Sequence, residues 1–354
     1  MEKVIAGGYR SYDIETLKHF FQNGFKETGF SRIGRKVLIK PNLLSGKPPE
    51  NAVTTHPVFL RALSEFLKDN SCSIFLGDSP GYEPLERVLK ASGYLEFIDH
   101  LDITIARFKN KIEKRIDGIS PYRYFDFGED PGEFDLVINV PKLKTHAMMG
   151  MTLGVKNTFG FIRGFEKGRL HLRAGKDRAL FASILIDIHQ IVSPAITILD
   201  GILGMCGDGP SSGIPVNTGI VALSKNAFAL DDFIEKFLCG PYVPFPVISC
   251  AMDHGLLPDY VVIDKGLPPA VDFPVPRTSD TDWNLPPPIK RLLRNVFLKK
   301  PKILKDNCVQ CGVCVEVCPA HAITKERGFP RFDHSSCIKC YCCQEMCPHG
   351  AIRT

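Results

Sequence analysis

No secretory signal opens this sequence: Met1-Glu2-Lys3-Val4-Ile5-Ala6-Gly7-Gly8 has neither a seven-residue apolar core nor a small-residue cleavage site, so export by that route is not expected. A membrane span is missing too. The longest apolar stretch, Ile191 to Met205, is broken by Ser193, Pro194, Thr197 and Asp200 and falls short of the ~20 residues a spanning helix needs. There is no block of one charge either. The net charge of +5 is spread over the chain, so nucleic acid is not demanded as a partner. Neither Gly-x-Gly-x-x-Gly after the first strand nor Gly-x4-Gly-Lys-Ser/Thr occurs, which leaves no nucleotide cofactor supported.

At 354 residues with 44% apolar content, the chain has room for one large core and a smaller appended domain. Its 13 cysteines are unevenly placed. Nine lie between Cys308 and Cys347, while Cys72, Cys206, Cys239 and Cys250 are scattered. Such crowding points to metal in a reducing compartment, and a cytoplasmic location is expected.

Residues 1–265 alternate short β-branched runs with helical periodicity, the signature of an α/β domain with a mostly parallel sheet flanked by helices. Strands are expected at Val37 to Ile39, Ser73 to Gly77, Asp102 to Ala106, Asp135 to Val140, Ala195 to Leu199, Gly219 to Leu223 and Tyr260 to Ile263. Helices are expected from Thr55-His56-Pro57 onward and over Ala179 to Val192. The prolines of residues 266–301 forbid ordinary helix and central strand and predict an extended linker, within which Ile289 to Lys300 has the pattern of a short basic helix. Residues 302–354 form a small C-terminal domain.

That tail contains a repeat. Cys308-x2-Cys311-x2-Cys314-x3-Cys318-Pro319 recurs 29 residues later as Cys337-x2-Cys340-x2-Cys343-x3-Cys347-Pro348. Zinc also takes four thiolates, but usually as paired Cys-x2-Cys units without a third cysteine at the same spacing and a following Cys-Pro. The runs closely resemble two-cluster bacterial ferredoxins. The resemblance implies two 4Fe-4S clusters, an electron-transport role and crossed ligand sets: Cys308, Cys311, Cys314 and Cys347 for one cluster, Cys337, Cys340, Cys343 and Cys318 for the other. Val309, Val313, Val315, Ile323, Ile338 and Ile352 are expected to pack around the inorganic cores, with Cys342 a spare packed thiol.

In open parallel sheets ligands bind beyond the carboxyl ends of strands, so the polar residues after each apolar run are the candidates. Lys142, Lys144 and His146 with Asp200 form the candidate catalytic set. Asn42, Asp78, Lys156, Asn157, Gly207 and Gly209 are the candidate cofactor-binding or ligand-binding residues, the glycines through backbone N–H groups of the loop Gly207 to Gly213. The cations favour a phosphate or carboxylate ligand. Arg163, Lys167, Arg169, His171 and Arg173 are expected on a solvated basic face.

Lys40-Pro41-Asn42, Asp78-Ser79-Pro80, Pro141 through His146, Val155-Lys156-Asn157, Asp200-Gly201 through Pro210 and Ala229-Leu230-Asp231 resemble, in order, the domain of unknown function family 362 over about Lys36 to Phe237. This family is often joined to a ferredoxin module. It frequently carries an acidic residue where Cys206 stands here.

Three functions compete. In the first, the clusters exchange electrons with a ligand in the α/β domain, as in a ferredoxin-coupled oxidoreductase of anaerobic metabolism. In the second, the chain is an electron carrier or assembly factor whose α/β domain recognises a redox partner protein. In the third, the pocket is a lyase or isomerase site for an anionic small molecule, with Lys142 or Lys144 as base and the clusters structural.

Overall fold

The computed structural model describes residues 1–30, 35–240, 244–276 and 299–353. Most of the proline-rich linker, including most of the basic segment Ile289 to Lys300, lies outside the described residues. A ten-stranded sheet is built from β1 (Glu2–Gly8), β2 (Lys36–Pro41), β3 (Ser73–Leu76), β4 (Thr104–Ile105), β7 (Leu136–Val140), β10 (Ile196–Cys206), β11 (Ile214–Ser224) and β12 (Tyr260–Lys265), extended by β8 (Lys142–His146) and β9 (Gly150–Met151). Between β4 and β7, a separate hairpin is formed by β5 (Ile112–Arg115) and β6 (Tyr124–Phe127).

The spatial order is β12-β1-β11-β10-β7-β2-β3-β4, with β8 beside β10. Most pairings are parallel, as expected; β11 runs antiparallel to β1 and to β10, and β9 to β8. Alternate side chains divide between two faces, as strand geometry requires. Val37 and Ile39 of β2 and Ile138 of β7 join one core with Phe21 of α1 (Ile14–Glu27) and Phe59 and Leu63 of α2 (Pro57–Asp69). Leu38 and Val137 join the opposite core with Phe181 and Leu185 of α7 (Arg178–Val192). The result is a sheet covered by helices on both sides.

Helix starts follow local chemistry. Asp13 accepts the Thr16 N–H at 2.8 Å, Asp177 the Leu180 N–H at 3.0 Å, and Asn226 the Ala229 N–H at 3.0 Å before α8 (Ala227–Cys239). Pro57 occupies the first turn of α2, where its missing N–H costs nothing.

Several boundaries differ from expectation. Asp200 lies inside β10 rather than beyond its end, because β10 continues to Cys206 by pairing with β11 and β8. Lys142 to His146 is itself a strand, continuing β7 past Pro141 alongside β10, with Lys142 opposite Asp200. The first residues form β1, a central strand whose Val4, Ile5 and Ala6 are buried.

The tail contributes α10 (Val313–Glu316), α11 (Cys342–Glu345) and two small strand pairs, Lys302–Ile303 with Ile352–Arg353 and Ile323–Thr324 with Arg331–Phe332. It is seated on the α/β part. Tyr341 is buried in the same core as Phe181, and Ser211 Oγ donates to the Glu345 carbonyl at 2.6 Å. Lys47 Nζ donates to the Pro348 carbonyl, and a Cβ on Gly81 would lie 2.2 Å from Met346 Sδ, so the two surfaces meet closely.

Candidate functional site

Period-two alternation puts Lys142, Lys144 and His146 on one face of β8, and all three are 0% exposed. Each buried polar group then needs a partner. Lys142 Nζ donates to Asp200 Oδ2 at 2.7 Å and to the Tyr12 hydroxyl at 2.9 Å. Asp200 also accepts the Tyr12 O–H at 2.8 Å and the backbone N–H of His56 at 2.8 Å. The rings of Tyr12 and His56 stack with centroids 3.6 Å apart. Burial, opposed by Asp200, lowers the Lys142 pKa.

Lys144 is bound differently. Its Nζ donates to the Val53 carbonyl at 2.6 Å, and burial followed by the charge of Lys156 pulls its pKa well below the usual lysine value. His146 Nδ1 accepts the backbone N–H groups of Met148 at 3.0 Å and Met149 at 3.2 Å, which leaves Nε2 to carry the ring proton. Nε2 faces Glu345 Oε1 at 2.7 Å, across the junction with the tail. Burial and Lys156 bring His146 down to about 4; burial alone would raise Glu345, but His146, Lys156 and His171 hold its carboxyl at about 2.

The second helix face arrives from α6 (Gly164–Ala174). Lys167 and His171, four residues apart, both turn inward, which corrects the expectation of a solvated basic face; Arg169 is exposed as expected. Lys167 Nζ donates to the Ser79 carbonyl, and burial lowers its pKa to about 8. His171 stacks on Phe181 at 4.3 Å, and burial brings it to about 3 although Glu345 opposes this.

The expected ligand-binding residues prove mostly to be mutually tied. Asp78 accepts from Lys40 Nζ at 2.8 Å, Leu43 N–H at 2.9 Å and Ser79 N–H at 2.8 Å. Asn42 Nδ2 donates to Asn157 Oδ1 at 3.0 Å, and Asn157 Nδ2 to Asn139 Oδ1 at 2.8 Å. Lys156 sits over the Phe159 ring, 5.8 Å from its centroid, with burial lowering its pKa against the pull of Glu345. The glycine loop is a correction. It joins β10 to β11, the Gly207 N–H goes to the Pro274 carbonyl at 2.7 Å, and the Gly209 N–H goes to the Gly207 carbonyl at 2.8 Å and to Thr145 Oγ1 at 3.2 Å, so neither N–H is open to an anion.

In the tail, Cys308, Cys311, Cys314 and Cys347 line one cavity with Ile303 and Ile352. Burial and the other three of these thiols push Cys314 up to about 11. Burial and then Cys340, Cys337 and Cys318 raise Cys343 well above the ordinary thiol value. Cys347 of the second run thus shares a cavity with three thiols of the first, and Cys343 feels Cys318 and Cys314 of the first run as well as Cys340 and Cys337 of its own. Mutual repulsion of four thiolates is what bound iron would neutralise, so the donor set fits 4Fe-4S chemistry. Backbone N–H groups already point at sulfur: Ala322 to Cys318 at 3.2 Å, Lys339 to Cys337 at 3.4 Å and Ala351 to Cys347 at 3.3 Å. Ile323 and Ile352 are buried beside the thiols, and Val309 and Val313 line the cavity of Cys308, Cys311, Cys314 and Cys347, although Val309 is 60% exposed.

Tyr12, His56 and Glu345 were not among the candidates, Lys40 entered only with the strand-end motif Lys40-Pro41-Asn42, and Lys167 and His171 were expected on the solvated face. The spacing of Lys167 and His171 was a legible signal for an inward face; Glu345 had none, since it reaches His146 only through the docking of the tail.

The buried histidines give a pH expectation. His171 titrates at 6.5 when unfolded and at about 3 when folded, so its neutral form contributes stability that is full above 6.5 and lost as pH falls toward 3. His171→Asn is expected to flatten the dependence of the urea midpoint between pH 7 and 5, by up to one proton or about 1.4 kcal/mol per pH unit. An unchanged slope would mean that His171 is not held neutral.

Residues 37–234 match the family described as Domain of unknown function (DUF362), and residues 307–351 match the 4Fe-4S dicluster domain. A thylakoid-associated protein of Synechocystis sp. is 32% identical over 280 residues, covering 76% of this chain and 84% of its own length. The lactate racemase apoprotein from Thermoanaerobacterium thermosaccharolyticum overlays with a TM-score of 0.41 and 14% identity, over 66% of this chain and 57% of that one. With the first match spanning more than half of its length and the second covering the thiol-bearing tail, the chain belongs to the DUF362 family and is an iron–sulfur protein.

Proposed function

We propose that this protein is a redox protein that passes electrons through two 4Fe-4S clusters to or from an anionic small molecule held among Lys144, Lys156, His146 and His171. One observation carries the reading: Glu345, two residues beyond the thiol of Cys343, lies 2.7 Å from His146 in the cation-rich cluster. The second cysteine group is thereby packed against the polar residues of the α/β domain, and electron transfer needs that proximity. Tethering alone would raise only the local concentration of donor and acceptor.

Cys308, Cys311, Cys314 and Cys347 would hold one cluster, and Cys337, Cys340, Cys343 and Cys318 the other; bound there, the clusters supply one-electron transfer. Within the α/β domain, Lys142, Asp200 and Tyr12 brace β8 against β10. Lys156 supplies positive charge for the anion, and Lys144 and His146 present N–H donors to it. Glu345 is a carboxylate already seated among these cations, so the ligand either displaces it or binds beside it. Thiolate-bound iron fits a reducing, cytoplasmic setting and anaerobic metabolism.

The low basicity of Lys144 favours a second reading, in which its neutral amine is the base of a lyase or isomerase. Turnover that needs no reductant would select it. The test of the first reading is mass spectrometry of ligand co-purified anaerobically: Lys144→Ala should lose the ligand at least tenfold while iron content and visible absorption stay unchanged. If Lys144→Ala and His146→Ala both keep ligand and activity, the anion site fails and partner recognition by the α/β domain gains.

A further inference from the structure

The two halves of the 29-residue repeat have the same ligand spacing and unequal surroundings. In the second run Lys339, Cys340, Tyr341, Cys342 and Cys343 are all buried, Tyr341 in the α/β core that holds Phe181. At the matching positions of the first run, Cys314 is buried, Gln310, Gly312 and Val313 are half-buried and Cys311 is exposed, and Val309 just before them is 60% exposed. Sequence symmetry therefore ends in functional asymmetry. Of the eight thiols Cys311 alone is exposed, while Cys314, Cys340, Cys343 and Cys347 are buried and Cys308, Cys318 and Cys337 are half-buried.

The open face is not bare of features. Tyr82, 48% exposed, hydrogen-bonds through its hydroxyl to Glu316 of the first run and feels the charge of Cys311, and exposed Val309 lines the same cavity as Cys311, so both side chains flank the exposed thiol. Around it the charge is mostly basic. Lys305 is exposed and its carbonyl accepts the Cys308 N–H, and Lys325 Nζ donates to the Gln310 carbonyl. Lys302 and Arg353 stand directly opposite each other in the strand pair Lys302–Ile303 with Ile352–Arg353, where like charges are costly unless something else uses them. Among the acidic groups here, Glu316 is engaged by Tyr82, Asp208 pairs with Arg353 at 3.5 Å, and Asp306 is exposed.

We propose that the face around Val309 and Cys311 is the docking site for a small acidic electron-carrier protein, which makes the first cysteine group the port and the second the terminus at the α/β domain. An apolar centre with a charged rim is the build of a transient redox contact, in which opposite charge steers encounter and little area is buried. The transfer itself is one electron: the carrier's reduced group is oxidised by one, the iron held by Cys308, Cys311, Cys314 and Cys347 is reduced by one, and no bond forms or breaks. The proposal rests on the iron–sulfur reading and not on the anion site, so a failed ligand assay with Lys144→Ala leaves it standing.

The experiment uses the full iron-loaded chain and chemically reduced acidic flavodoxin as the probe. Stopped-flow bleaching of the cluster absorbance should slow steeply as salt is added. Lys305→Glu combined with Lys325→Glu should lower the low-salt second-order rate about tenfold or more and remove its fall with salt, while dithionite still bleaches the protein fully. Carbodiimide coupling followed by peptide mass spectrometry should join flavodoxin carboxylates to Lys305 or Lys325. If the double variant loses iron, Val309→Asp is the substitute and should slow transfer to a similar degree. Rates unchanged by these substitutions, or cross-links confined to lysines of the α/β domain, would overturn the proposal.

Discussion

Replacing Asp200 with alanine is expected to cost about 3–5 kcal/mol of folding stability, one of the largest single-residue effects in the α/β domain, because it strands a buried cation. Asp200 accepts from Lys142 Nζ at 2.7 Å, Tyr12 O–H at 2.8 Å and the His56 N–H at 2.8 Å, and it is 0% exposed. Truncation leaves three donors facing a cavity, one of them charged. The measurement is the shift in urea midpoint under anaerobic conditions. The pair Asp200→Leu with Lys142→Met removes both charges together and should recover most of the loss, since replacing a buried ion pair by apolar groups of similar volume is often near neutral. A loss below about 1 kcal/mol for Asp200→Ala, accompanied by lost activity, would instead move Asp200 from bracing β8 to chemistry.

Replacing Cys318 with alanine is expected to remove iron from a group made mainly of residues beyond it in the second run. Burial and the charges of Cys340, Cys337 and Cys318 act together on Cys343, so loss of Cys318 leaves three thiolates where four are needed. Anaerobic iron and acid-labile sulfide should fall from about eight per chain to about four or fewer. The second outcome concerns folding. The described apolar residues of the tail core are few, chiefly Ile323, Ala351 and Ile352 with partly buried Val315 and Phe332, so the metal must supply much of its stability. Tyr341 should then leave the core it shares with Phe181, and the tail should become protease-sensitive. Cys342→Ser, by contrast, should keep its iron. Retention of full iron by Cys318→Ala would mean that Cys342 or another group replaces it, and the crossed assignment would fall.

What could be read beforehand depended on how local the cause was. The helix from Pro57 and the strand Leu136–Val140 were legible because apolar periodicity and a proline in the first turn act within a few residues. The cysteine runs were legible for the same reason, as spacing is the chemistry. Asp200 was misplaced at a strand end because a buried carboxylate inside a strand looks like a break until its three donors are known, and those donors come from residues 12, 56 and 142. The glycine loop suggested an open N–H cradle, but Pro274 and Thr145, distant in sequence, already fill it.

The sequence by itself determined an α/β domain with a mostly parallel sheet, a thiolate-rich tail of the 4Fe-4S kind, and lysines and a histidine at alternate positions of one segment. Only the tertiary structure decided that Lys167 and His171 join those residues, that Cys311 is exposed while its counterpart Cys340 is buried, and that Glu345 meets His146. The reason is physical. Local pattern sets which face of an element is polar, but burial of a charge is tolerable only where another element brings its counter-charge, and Glu345 lies 199 positions beyond His146 along the chain.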